Sequence, residues 1–244
     1  MIRRENISWA LLLGNQLFKH CFPVYNVLYK LYKRFVDRYE RALLRDIIKP
    51  GMTVVDVGAN IGIYTGYMAR IVGEKGRVYA FEPSPYTFSL LKKYNKNHHV
   101  TLVQAAVGDT TGKITLYLSD KLNVDHHTYE TDEQRQKIDV LSYRLDDYLK
   151  NEKVDFIKMD IQGFEHKALS GMRNILQTNH EIKVLMEFWP YGLIKAATTP
   201  QEILTFLHQL DFKTELIEGK HRKPCPPVPT RNDFSYYRRL LASR

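Results

Sequence analysis

From Thr53 onward, short runs rich in β-branched and aromatic residues alternate with segments whose apolar residues recur every three or four positions. That alternation predicts a mostly parallel sheet wrapped by helices. The predicted strands are Thr53–Val57, Arg77–Phe81, Thr101–Val107, Lys113–Leu118, Val154–Met159, Ile182–Phe188, Lys213–Ile217 and Phe234–Arg238. Their continuous apolar runs suit strands buried on both faces. Ser84 followed by Pro85 signals a helix start, and Phe88, Leu91 and Tyr94 then share one face. Ala168, Leu169, Met172, Ile175 and Leu176 predict a helix over 166–178, and a further helix is expected from Pro200 to Leu210. Asp146 and Asp147 open a short helix, residues 119–136 form a polar insertion, and residues 219–231, with four prolines, read as an irregular loop.

The first fifty residues follow another pattern. Pro23 can open one long helix in which Phe22, Tyr25, Tyr29, Tyr32, Val36, Tyr39 and Leu43 are spaced three and four apart, while Lys30, Arg34, Arg38, Arg41 and Arg45 line another face. Two readings stay open: a helix packed over the core as a lid, which is preferred, and a helix lying on a membrane surface. The division expected is a basic amphipathic extension over 1–50 and one α/β domain over 51–244.

Composition narrows the class. The chain has 244 residues and is 44% hydrophobic, which is ordinary for a globular protein and excludes disorder, collagen and coiled coil. Cys21 and Cys225 lie near opposite ends without metal-ligand spacing, so neither a disulfide framework nor a zinc site is expected, and a reducing cytosol suits them. The net charge of +9 sits at the ends: residues 1–50 carry 10 basic against 4 acidic residues, and 219–244 carry 7 against 1. The middle is slightly acidic, which argues against a nucleic-acid substrate and leaves contact with anionic membranes open. No signal peptide or membrane-spanning run is read, so a cytoplasmic protein is expected, with peripheral attachment to the inner face of a membrane as an option.

The most specific segment, Val54-Val55-Asp56-Val57-Gly58-Ala59-Asn60-Ile61-Gly62, runs from a strand through a glycine turn into a helix. Gly58 and Gly62 let the backbone turn and approach a ligand, and the helix start offers free N–H groups. Glu82 closes the next strand, where a carboxylate can accept from both ribose hydroxyls of an adenosine ligand. The spacing is GxNxG and not GxGxxG. Asp56, two residues before the first glycine, would oppose a pyrophosphate yet suit the sulfonium and amino groups of S-adenosylmethionine.

Together the runs KPGMTVVDVGANIGIYT, VYAFEPSPYTFSLLKKYNK, VQAAVGDTTG and VDFIKMDIQGFEHKALSGM resemble the FkbM-type methyltransferases over about residues 48–190. The resemblance implies a Rossmann-like, seven-stranded mixed sheet with an antiparallel last strand, S-adenosylmethionine as cofactor, and O-methylation of sugars, polyketides or related small molecules. Residue by residue it implies cofactor contacts from Asp56, Gly58, Asn60, Gly62 and Glu82, an adenine neighbourhood at Gln104 to Ala106, and Asp160 beside the methionine end. Many relatives carry Glu where this chain has Gln162, which puts a proton-handling role there in doubt.

A hydroxyl acceptor needs help to lose its proton, and Asp125-His126-His127 in the polar insertion supplies a candidate base near its working pH. An ordinary solvated loop explains the same residues equally well. Asp160 and Glu187 close neighbouring strands and can bind acceptor hydroxyls; the alternative, a magnesium site, is not preferred and no metal is expected. Trp189-Pro190-Tyr191 offers either a flat wall for a sugar ring or a packed corner. His98-His99 reads as a surface pair. The expected function is therefore an S-adenosylmethionine-dependent O-methyltransferase for a small-molecule or glycan hydroxyl. A nicotinamide-dependent oxidoreductase and a non-catalytic cofactor- or membrane-binding scaffold remain as alternatives.

Overall fold

The computed structural model describes residues 9–118, 135–225 and 236–244, with side chains from residue 14 onward. The chain begins with α1 (Trp9–His20), α2 (Phe22–Val36) and α3 (Arg38–Ile47), then runs β1 (Thr53–Val57), α4 (Ile63–Val72), β2 (Arg77–Phe81), α5 (Pro85–Tyr94) and β3 (Val100–Val103). Next come β4 (Ala106–Val107), β5 (Gly112–Leu118), β6 (Gln136–Tyr143), α6 (Leu145–Tyr148), β7 (Phe156–Met159), α7 (Glu165–Ser170), α8 (Arg173–Thr178) and β8 (Lys183–Phe188). The final elements are α9 (Pro190–Lys195), α10 (Pro200–His208), β9 (Lys213–Glu218), β10 (His221–Pro224) and β11 (Arg238–Ser243).

The large sheet has the order β10-β9-β11-β8-β7-β1-β2-β3. β3, β2, β1, β7 and β8 are parallel neighbours, and β11 runs antiparallel to both β8 and β9. This is the expected Rossmann-like sheet with an antiparallel last strand, and it sets the ends of β1, β2 and β7 side by side. Val55 and Val57 point to one face, where they pack with Leu169, Leu176, Leu204 and Leu207 of the helices beyond β7. Val54 points to the other, where Leu44, Ile48, Met68 and Val72 cover it. Side chains alternate along a strand, so Asp56 shares the second face with Val54.

Several elements differ from expectation. The large sheet has eight strands and not seven, because the proline-rich segment begins with a hairpin strand, β10, on the exposed edge where Pro224 can be tolerated. The segment 101–107 breaks at Gln104–Ala105; its second half leaves the sheet and joins β6 and β5 in a separate three-stranded sheet. β6 was hidden because only one of its faces is covered, leaving Lys137, Asp139 and Leu141 outside. The last strand starts at Arg238 rather than ending there: Leu240, Leu241 and Ala242 are the buried run, set between β8 and β9. The helix 166–178 divides at Gly171, whose added Cβ would run into the Gly108 carbonyl. The long N-terminal helix divides at Asp37, which turns its carboxylate inward to the Tyr64 hydroxyl, 2.8 Å away.

Side chains from Phe18 to Ile48 pack against the rest. Leu43, Leu44, Ile47 and Ile48 belong to the same buried cluster as Val54, Met68 and Val72. Phe18 and Phe22 close over Ile61 and Leu90. No helix among the described residues is long and apolar enough to cross a membrane.

Candidate active site

The glycine turn after β1 is held by the neighbouring strand: Gly58 and Ala59 both donate to the Phe81 carbonyl, at 3.0 and 2.9 Å. Gly58 has φ +80°, and a Cβ there would run into the backbone oxygen of Asp160, so only glycine lets β1 and β7 close at this point. Asn60 takes the left-handed conformation with φ +50°, and its amide donates to Glu82 Oε2 at 2.9 Å. Glu82 Oε1 accepts from the Ser84 amide at 3.0 Å. The carboxylate is therefore fixed by two backbone donors and keeps a free lone-pair direction on each oxygen. Burial pushes Glu82 up to about 7, although the two N–H groups favour its charged form.

Gly58, Asn60, Glu82, Ala105, Asp160 and Gln162 line one cleft at the carboxyl ends of β1, β2 and β7. Phe81, Pro83, Val107, Leu116 and Phe164 give it apolar walls. An adenosine ligand fits these residues: a fixed carboxylate with spare acceptor capacity for a ribose, small and apolar side chains for a base, and a second carboxylate at the far end. S-adenosylmethionine brings to such a site a methyl group on a positively charged sulfur, already activated for transfer.

Three of the expected contacts take other places. Asp56 is fully buried and outside the cleft; it accepts from Thr65 Oγ1 at 2.7 Å and anchors the start of α4 beneath the glycine turn. Burial raises its pKa, opposed by buried Lys158, its register partner on β7. Gly62 packs under Leu91 and lines a different groove. Gln104 is exposed and outside the cleft lining, whereas Ala105 belongs to it. His126 and His127 lie outside the described residues, so their relation to the cleft is not part of this geometry.

Past Asp160 the structure assembles a polar cluster that the sequence reading had only touched. Gln162 Nε2 donates to Asp160 Oδ1 at 3.2 Å and to both oxygens of Glu187, at 3.2 and 3.0 Å. Arg239 donates to Asp160 Oδ2 and to Glu40 Oε2, both at 3.1 Å, and to the Tyr237 hydroxyl at 2.8 Å. One guanidinium thus ties α3, β7 and β11 together. Burial alone would raise Asp160, but Arg239, Lys158 and Lys33 outweigh it and hold the carboxyl below its ordinary range. Glu187 behaves in the opposite way: burial first, then the charges of Asp160 and Glu165, push it well above 4.5. Glu165, capping the Ile161 amide at 3.2 Å, is pushed up to about 7 by burial. From α2, Tyr29 reaches toward this cluster; burial, then Asp37 and Asp160, push its hydroxyl up to about 12.

Arg239, Lys158 and Glu40 escaped the sequence reading, and Tyr29 enters it only as part of the aromatic stripe. Lys158 carried a signal, being a lone cation inside an apolar strand run, while the others come from distant segments. Among the described residues no three carboxylates, histidines or cysteines stand close enough together to hold a metal ion. His99 is not a free surface group: its Nε2 sits 3.0 Å from the Ala69 carbonyl.

The methyltransferase FkbM domain model matches residues 56–214. The chain is 32% identical over 144 residues to Methyltransferase 1 of Beauveria bassiana, covering 49% of this chain and 57% of that protein. It is 28% identical over 163 residues to the hexuronic acid methyltransferase AglP of Haloferax volcanii, covering 66% and 63%. The match therefore spans less than two thirds of either relative. Among solved structures, a putative rRNA methylase from Clostridium thermocellum shares the fold at a TM-score of 0.51, with 16% identity over 84% of this chain and 92% of that one. Aeropyrum pernix fibrillarin, solved with S-adenosyl-L-methionine, gives 0.50 and 14% identity over 84% and 74%. The glycine turn, the fixed Glu82 carboxylate and the strand order thus accompany a family match over residues 56–214. The nicotinamide alternative falls away: the chain belongs to the FkbM methyltransferase family.

Proposed function

We propose that the enzyme methylates a hydroxyl oxygen of a sugar, glycoconjugate or related small molecule. The observation that carries this reading is Asp160, a carboxylate kept ionised by Arg239 and Lys158 at the edge of the cleft and aligned by the Gln162 amide. An ionised carboxylate accepts a hydrogen bond from a hydroxyl and so can fix the angle at which that oxygen meets the methyl group. Glu187 and Gln162 extend the polar surface for further hydroxyls of the same acceptor. A carboxylate acceptor would have no proton to donate to Asp160 and would meet two acidic neighbours. The name of the hexuronic acid methyltransferase relative supports a sugar acceptor.

Asp56, Gly58, Asn60, Gly62, Glu82, Gln104 and Ala105 divide accordingly: Gly58, Asn60, Glu82 and Ala105 contact the cofactor, Asp56 and Gly62 shape the turn behind it, and Gln104 stands at the rim. Asp160 positions the acceptor, and His126 or His127 takes its proton. The test offers the enzyme a neutral-sugar glycan, a hexuronic-acid glycan and an amine-bearing sugar, and locates the transferred methyl by mass spectrometry. An ether on a sugar oxygen is expected, with turnover strongly reduced in Asp160→Asn. An N-methyl product, or unchanged turnover in Asp160→Asn, would overturn the reading.

A further inference from the structure

α2 is apolar on two opposite faces, and only one of them is used by the fold. Phe22, Tyr25 and Tyr29 turn inward: the Phe22 ring lies 5.4 Å from Phe18 and 5.1 Å from Tyr94, and Tyr25 stacks on Tyr29 at 5.2 Å. On the outer face Val24, Val27, Leu28, Leu31 and Phe35 remain 46%, 58%, 51%, 59% and 72% exposed. Their spacing at 100° per residue places all five within an arc of about 100°, a ridge along the whole helix. A water-facing helix would carry polar residues there, and single exposed apolar residues would need no comment; an unbroken ridge does.

Beside the ridge runs a row of cations. Lys30 and Arg34 stand one turn apart on α2, Arg38, Arg41 and Arg45 continue the row along α3, and Arg70 faces them from α4 across a groove floored by Gly62 and Gly66. Among the described residues none of these six forms an ion pair with a carboxylate. Arg38 donates to the Tyr39 hydroxyl at 3.1 Å, and the Arg41 guanidinium lies 3.9 Å from the centre of the Tyr67 ring. The neighbouring cations that the fold needs are paired: Lys33 with Asp37, and Arg239 with Glu40 and Asp160.

We propose that this ridge and its basic flank dock the enzyme on the surface of an anionic lipid bilayer, with α2 lying in the plane of the interface. The apolar side chains enter the boundary between headgroups and acyl chains, and the basic groups beside them meet lipid phosphates. Charge complementarity favours this occupant over a protein: the cations flank the apolar ridge on one side, the pattern of a helix lying at an anionic interface, and among the described residues they have no carboxylate partners. The cleft stays free, since Asp160 lies near Tyr29, on the inward face of α2 opposite the ridge.

The full chain is floated with vesicles of phosphatidylcholine, and with vesicles in which one lipid in three is phosphatidylglycerol. Recovery with the anionic vesicles only, released by high salt as exposed charges become screened, is expected. Leu31→Glu with Phe35→Glu, and separately Arg34→Glu with Arg38→Glu, should each lower the partition at least tenfold while leaving S-adenosylhomocysteine affinity unchanged, which shows that the variants fold. Equal recovery on both vesicle types, recovery on neither, or variants that float like wild type would overturn the proposal. So would a change in the light-scattering mass of the Leu31/Phe35 variant with no change in flotation, because the ridge would then be an interface between copies of the chain.

Discussion

Replacing Glu82 by Gln keeps the size of the side chain but removes its charge and one of its two acceptor oxygens. In the native site these oxygens accept from the Asn60 and Ser84 amides, at 2.9 and 3.0 Å, and have capacity left for two ribose hydroxyls. Losing charge-assisted hydrogen bonds to the ribose should cost ~2–3 kcal/mol of cofactor binding, about 30- to 150-fold in Kd. Stability should respond differently. Glu82 is pushed from 4.5 up to about 7 by burial, so its contribution is fully present below pH 4.5 and is lost as pH rises through 7. At pH 8 that loss is on the order of 3 kcal/mol in the wild type and absent in the variant. The variant instead faces one backbone donor with an amide nitrogen, leaving a buried N–H unpaired at ~1–3 kcal/mol. Glu82→Gln should therefore melt below wild type at pH 4.5 and close to it at pH 8, where the two effects offset each other. Calorimetric titration with S-adenosylhomocysteine and thermal melts across this range read both quantities. Wild-type cofactor affinity, or a melting difference independent of pH, would refute the assignment of Glu82 as a buried, ribose-facing carboxylate.

Three further outcomes are expected, two from the same geometry and one from the polar insertion. Gly58→Ala meets the Asp160 carbonyl and an unfavourable φ of +80°, so it should cost ~1–3 kcal/mol in a denaturant melt and weaken cofactor binding with it. Arg239→Met leaves Asp160, Glu40 and Glu187 together without their shared cation; it should cost ~3–5 kcal/mol, more at pH 8 than at pH 5, where protonation relieves the carboxylates. Equal losses at both pH values would contradict that role. If His126 or His127 is the base, its replacement by Ala should lower kcat ~100- to 10,000-fold with cofactor affinity intact, and wild-type turnover should fall below about pH 6.5. Full kcat in both variants, together with loss of turnover in EDTA, would move the proton to a metal held by Asp160 and Glu187.

The parts legible in the sequence were those fixed locally. The strand, glycine turn and helix around Gly58 need only neighbouring residues, and Glu82 follows from the next strand in register. What escaped depends on distant pairing. β6, just past the polar insertion, matches no predicted element because one of its faces is wet, and the division of α2 from α3 depends on Asp37 finding Tyr64. Asp56 shows the limit of motif reasoning: the acid is where a cofactor contact was expected in sequence, but strand alternation turns it to the opposite face, toward Thr65 and Lys158. The cluster around Arg239 joins residues from 40 to 239, and no spacing rule connects them.

The central claim is methyl transfer to a sugar hydroxyl. It is tested most directly by incubating the enzyme with S-adenosylmethionine carrying a trideuterated methyl group and a glycan extract, then treating the labelled product with mild alkali. A label that survives alkali and maps to a sugar oxygen as an ether is the predicted result. A label released as an ester, or found on nitrogen, would contradict the account.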